Sequence, residues 1–87
     1  MKQIFIHSPV IEFAAQNYAA KHKYNLFRIA FSVPISEFVY EVELQRCLKE
    51  AARLNCVEYC FVSMTQYHIA MKNTAYCRID ILGFAKQ

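Results

Sequence analysis

Four cysteines, three histidines and one closely spaced pair of glutamates are the residues through which this 87-residue chain could do chemistry. A zinc site would have to be assembled from Cys47, Cys56, Cys60 and Cys77, with His7, His22 or His68 completing the set. No CxxC or HxxxH knuckle occurs. Within an extended segment the Cys56 to Cys60 spacing puts both thiols on one face about 13 Å apart, too far for two ligands of one ion. A cysteine nucleophile needs a neighbouring base or a helix N-terminus to lower its pKa. Cys47 falls in mid-helix and Cys56 just after a helix end, so neither has one. Glu41 and Glu43, about 7 Å apart at strand spacing, have the separation of an acid and base pair. The same pattern describes the wet side of a strand, and we read it so. The single glycine, Gly83, excludes a glycine-rich phosphate loop. The expectation is a protein with no catalytic residues, no metal and no cofactor, whose cysteines are reduced thiols packed like small apolar side chains.

The elements that would position these residues are organised around Leu44 to Met64. At a helical step of about 100° per residue, Leu44, Cys47, Leu48, Ala51 and Leu54 share one side, while Gln45, Arg46, Lys49, Glu50 and Arg53 lie largely on the other. Asn55 suits the end of that helix because it tolerates a left-handed backbone, and Arg53 complements the C-terminal dipole. From Cys56 the chain becomes aromatic and β-branched, which predicts a strand with Val57, Tyr59 and Phe61 on one side and Glu58 on the other.

Upstream, Lys2 to His7 alternates as a first strand, expected near the sheet centre. Ser8 and Pro9 then form a helix start. Val10, Ile11, Ala14, Ala15 and Tyr18 line one side of a helix ending near Lys23. Tyr24 to Val33 alternates as a second strand until Pro34 removes a donor. On one continuous helix from Ser36 to Leu54, Ile35, Phe38, Val39 and Val42 would lie opposite Leu44, Cys47, Leu48 and Ala51, leaving no single face to bury. That phase conflict favours a third strand over Ile35 to Glu43. Gln66 to Met71 and Ala75 to Leu82, joined at Lys72, Asn73 and Thr74, read as a closing hairpin.

The order strand, helix, strand, strand, helix, strand is that of a ferredoxin-like α+β sandwich. The expected fold is therefore a βαββαβ sandwich with an additional C-terminal β-hairpin, two helices covering one face of an antiparallel sheet, in a single domain over residues 1–87. Ile4, Ile6, Ile11, Tyr18, Phe27, Ile29, Phe31, Val42, Leu48 and Phe61 are the expected core. RNA-recognition folds share the strand order, and Phe5, Phe38 and Tyr40 fall at tempting places. Pointing Phe38 and Tyr40 outward would, however, bury Glu41 and Glu43, and Ser36 and Glu37 stand where that fold's third-strand motif has a glycine and a basic residue.

A chain with 56% hydrophobic residues can build a core, and its net charge of +3 is small and dispersed. The longest uncharged run, Tyr59 to Met71, is too short and too polar for a membrane span, and the N-terminus lacks a signal-peptide pattern, so a cytoplasmic location is expected. Phe5, Leu26, Ala30, Val39, Val62 and Leu82 lie opposite the faces assigned to the core. One helix layer would leave this apolar surface open, which predicts an interface. The functional expectation is a non-enzymatic protein-binding module of adaptor or inhibitor type, a homodimer, with Phe5, Leu26, Val39, Val62, Leu82, Arg46, Lys49 and Arg53 at the interface. The alternative is a nucleic-acid binder using the open sheet face or the basic group Lys21, His22 and Lys23 together with Arg28.

Overall fold

The computed structural model describes residues 1–87. The chain runs β1 (Lys2–Gln3), α1 (Ile11–His22), β2 (Tyr24–Pro34), α2 (Tyr40–Arg53), β3 (Cys56–Ile69) and β4 (Thr74–Lys86), with single 3-10 turns at Ile35–Glu37 and Ala70–Lys72. The four strands form one mixed sheet in the order β1-β3-β4-β2. Strand β1 is parallel to β3, while β4 is antiparallel to both β3 and β2. The α+β class and two helices agree with the sequence; the ferredoxin-like order does not.

The predicted third strand over Ile35 to Glu43 is instead a 3-10 turn followed by the start of α2. The phase argument assumed that every apolar residue must be buried. The helix begins at Tyr40 regardless and leaves Val39, Tyr40 and Val42 in solvent. Glu43, not an apolar residue, occupies the first inward position, in line with Cys47 and Ala51 at four-residue spacing. Val42, expected in the core, is 55% exposed. Without a third strand the chain must reach β3 by a crossover, and this changes the layering. The step from β1 to β2 traverses the sheet from edge to edge, and the step from β2 to β3 returns. Two parallel crossovers of the same hand running in opposite directions put their helices on opposite faces. Accordingly, α1 packs Ala15 and Ala19 on Cys60, Leu82 and Phe84, while α2 packs Cys47 and Ala51 on Ile29, Ile79 and Ile81.

The two-helices-on-one-face expectation is thus corrected, and with it the role of the C-terminal segment. Strand β4 is no added hairpin arm but a central strand, and its run Ile79 to Ala85 is buried on both faces. Such a strand reads as continuous rather than alternating hydrophobicity, which is why the alternation ended the expected strand at Leu82, short of Gly83, Phe84 and Ala85. Gly83 sits where an added Cβ would lie 2.6 Å from Cys56 Sγ, so the central strand is kept bare there to admit the cysteine. Conversely β1, expected near the centre, is a two-residue edge strand, extended by one bond from Ile4 N–H to the Tyr59 carbonyl.

Three left-handed residues end elements: Lys23 after α1, Asn55 after α2 as expected, and Asn73 in the β3–β4 turn. Strand β3 carries irregularities between Cys56 and Glu58 and between Phe61 and Ser63. The first inserts Val57 and reverses the side-chain parity, so Cys56 joins the α2 side and Cys60 the α1 side. The two thiols do not share a face, as simple alternation had suggested. Strands β3, β4 and β2 run on side by side as far as the row of Tyr67, Tyr76 and Pro34, beyond which only the last residues of β3 and the first of β4 continue to their turn, and the molecule measures 44 × 27 × 19 Å.

Candidate functional site

The chemistry-bearing residues are dispersed. All four cysteines are free and buried. Burial pushes the Cys47 thiol up to about 11, with the Asp80 and Glu43 carboxylates adding to it, and pushes Cys56 and Cys60 up as well. None of these three is a thiolate at neutral pH. No group of three or more His, Cys, Asp or Glu side chains is placed to hold a metal ion. Glu41 and Glu43 diverge from the shared strand face expected of them: Glu41 is exposed on α2, whereas Glu43 is buried, its Oε1 lying 3.4 Å from Arg46 Nη1 without a hydrogen-bond partner.

Of the residues expected at an interface, Leu82 is buried, and Leu26 and Val62 pack beneath α1, because the supposedly open face is covered there. Phe5 is 74% exposed and Val39 50%. Arg46 lies over the Phe31 ring, Arg53 pairs with Glu50, and Lys49 faces outward on α2. In the basic group of the nucleic-acid alternative, Lys21 and Lys23 are exposed and their side chains pair with no acid. The Lys23 N–H closes α1 onto the carbonyls of Ala19 and Ala20, and His22 lies between Tyr18 and Tyr24, with ring centroids 4.3 and 6.0 Å away. Next to it, Tyr18 donates a 2.6 Å hydrogen bond to Glu58, which together with burial holds its hydroxyl at a pKa of about 12. Arg28, five residues along β2 from Lys23 and so about 17 Å away at strand rise, belongs to a different cluster.

That cluster is centred on Asp80, a buried carboxylate in the middle of the β4 run. Arg28 Nε donates to Oδ1 at 3.2 Å, and Arg78 Nε donates to Oδ2 at 3.2 Å, each with a second, longer bond from Nη2. Glu12 at the start of α1 pairs with Arg28 from the other side. Asp80 foremost, then Glu12, raises the pKa of Arg28. The signal for this cluster was present in the sequence: an acid inside the run Arg78 to Ala85 must bring a cation with it when buried.

What the sequence did not disclose is the edge of the sheet. Strand β2 pairs through its whole length with β4 on one side and has no strand on the other. Its outer edge therefore offers a row of backbone N–H and C=O groups over eleven residues, YNLFRIAFSVP. Natural edges are blunted by bulges, short length, inward charges or lysines. Here there is no bulge in the β2 register, no lysine between Tyr24 and Pro34, and a single charge, Arg28. Two depressions flank the edge. On the α2 side one is lined by Ile29, Phe31, Glu50 and Leu54, and on the α1 side another by Glu12, Gln16, Leu26 and Arg28. A strand laid along β2 would place alternate side chains in one and then the other.

Set against protein-family models, curated proteins and solved structures, the chain matches none of them.

Proposed function

We propose that this protein is a non-enzymatic protein-binding module that works by strand addition at the free edge of β2, and that the strand it takes is the β2 of a second copy. The observation that carries this reading is the eleven-residue unprotected edge with a depression on each flank. In strand addition the main chain supplies affinity and side-chain pockets supply specificity.

A second copy fits because β2 is complementary to itself. In an antiparallel pair with Ile29 on the twofold axis, Phe27 stands opposite the partner's Phe31 and Arg28 opposite the partner's Ala30. The α2 side then forms an apolar ladder of Phe27, Ile29 and Phe31 across the junction, each cross-strand pair contributing about 0.2 to 1 kcal/mol. Centring the pair on Arg28 instead would set two guanidiniums against each other. The result is a continuous eight-stranded sheet with both α1 helices on one face, an isologous closed dimer. This replaces a face-to-face dimer on Leu26, Val62 and Leu82, whose surface α1 already occupies.

Sedimentation of the wild-type chain and of two proline variants, Ser32→Pro and Val33→Pro, tests the proposal. Neighbouring residues of an antiparallel strand direct their N–H groups alternately inward and outward. One of the two prolines therefore leaves the β4 ladder intact and obstructs only the free edge. The wild type is expected to sediment as a dimer at tens of micromolar, and the proline variant with wild-type circular dichroism as a monomer. A monomeric wild type, or a well-folded pair of proline variants that both remain dimeric, would overturn it.

A further inference from the structure

Helix α1 covers only the Tyr24 to Arg28 end of its sheet face. Past Arg28 the same face runs on across β3, β4 and β2 toward the β3–β4 turn. Register places its residues in rows: Tyr67 beside Tyr76, Thr65 beside Arg78 and Ser32, and Ser63 beside Asp80 and Ala30. Arg28, Ser63, Thr65, Tyr67, Arg78 and Asp80 line one continuous depression. We propose that this open half of the face binds single-stranded nucleic acid, with Tyr67 and Tyr76 as the base-stacking element and Arg78 and Arg28 as the phosphate contacts.

Three observations favour this occupant. The Tyr67 and Tyr76 rings lie parallel across the two strands, with centroids 5.6 Å apart and planes 17° from each other, and Tyr67 is 39% exposed. Unpaired bases stack on such a surface whatever their sequence. Next, no acidic residue occurs between Glu58 and Asp80, a stretch that includes Lys72 and Arg78. The one carboxylate at the base of the depression, Asp80, has both oxygens occupied by arginine donors. Finally, that buried carboxylate fixes Arg28 and Arg78 on either side of itself, so their remaining N–H groups are held in place at half-exposed positions. Each guanidinium carries five donors; Asp80 uses two from each and Glu12 a further one from Arg28, so Arg78 keeps the larger free set. The polar side chains of this face, Ser63, Thr65 and Ser32, add hydroxyls suited to sugar and phosphate oxygens. A second protein would find little apolar area on these rows, whereas a stacked, phosphate-bearing strand finds its complement.

Fluorescence anisotropy with a labelled oligothymidine and a labelled duplex of equal length, each at low and moderate salt, tests the assignment on the full chain. The single strand is expected to bind more tightly than the duplex. Its log affinity should fall by about 0.7 per phosphate contact for each log unit of salt. Tyr67→Ala should weaken it about tenfold. Thr65→Glu, which sets a carboxylate at an exposed position directly beside Arg78, should weaken it at least as much. Lys21→Ala with Lys23→Ala should leave it unchanged. Tyr67 and Thr65 are both exposed, so unaltered melting temperatures are expected and separate lost binding from lost folding. Absence of binding, preference for the duplex, or loss only in the Lys21 and Lys23 variant would each overturn the assignment.

Discussion

Gly83 shows how far a single residue can specify this core. It is the one glycine of the chain and lies in its most buried strand, where backbone freedom has no use; what matters is the room it leaves for Cys56 Sγ. Gly83→Ala alone is expected to destabilise the protein by about 1 to 3 kcal/mol through overpacking. Combined with Cys56→Ala it should cost markedly less than the sum of the two single changes, a coupling that urea titration of the four-member cycle reads directly. Cys47 makes a second prediction, in pH. Its thiol titrates near 11 in the folded chain against an ordinary 9.0, so the folded state holds the proton more tightly. The stability this represents is complete below about pH 9 and disappears as pH rises through 11, at most about 2 to 3 kcal/mol for a two-unit shift. Urea midpoints at pH 8 and pH 10.5 should therefore fall with pH, and fall less in Cys47→Ala. The sequence did disclose that these thiols are packing groups. It did not disclose that Cys56 and Cys60 face opposite ways, because one inserted residue in β3 reverses the side chains from Glu58 to Phe61, up to the second irregularity, and no local residue type announces it.

At the scale of elements, α1, β2, the end of α2 at Asn55 and the start of β3 were all legible, since each carries its own periodicity or terminating residue. The start of α2 was not. Its first turn exposes Val39, Tyr40 and Val42 and buries Glu43, inverting the rule on which phase arguments rest. Both halves of that inversion are testable. Val42→Ala should change stability by less than about 0.5 kcal/mol, as exposed positions do. Glu43→Leu should raise it by about 1 to 2 kcal/mol, because a buried carboxylate with an unpartnered oxygen is replaced by an apolar side chain of similar volume. A stability loss for Glu43→Leu in thermal or urea unfolding would mean that the Arg46 ion pair contributes more than its 3.4 Å separation implies. Strand β4 was read over Ala75 to Leu82, but its place in the sheet escaped for a related reason. A strand buried on both faces has no alternation, so its central place is readable only once the neighbouring strands are known.

For the whole molecule, the apolar surplus on both sides of the strands was a true signal attached to the wrong cause. Leu26, Val62 and Leu82 are apolar because α1 covers them, the consequence of two crossovers running in opposite directions, and not because a second sheet packs on them. Strand order decides this, and strand order is a long-range property that local residue patterns do not record. The same order leaves β2 at the margin with its outer edge free, and the interface we assign follows from that placement. Amide hydrogen exchange resolved by residue, at concentrations well below and well above the expected dimerisation range, tests it most directly. On raising the concentration, every second amide of β2 from Tyr24 to Val33 should gain protection, while the alternate amides, already bonded to β4, stay as slow as before. Outward amides of β2 that exchange freely at every concentration would contradict the account.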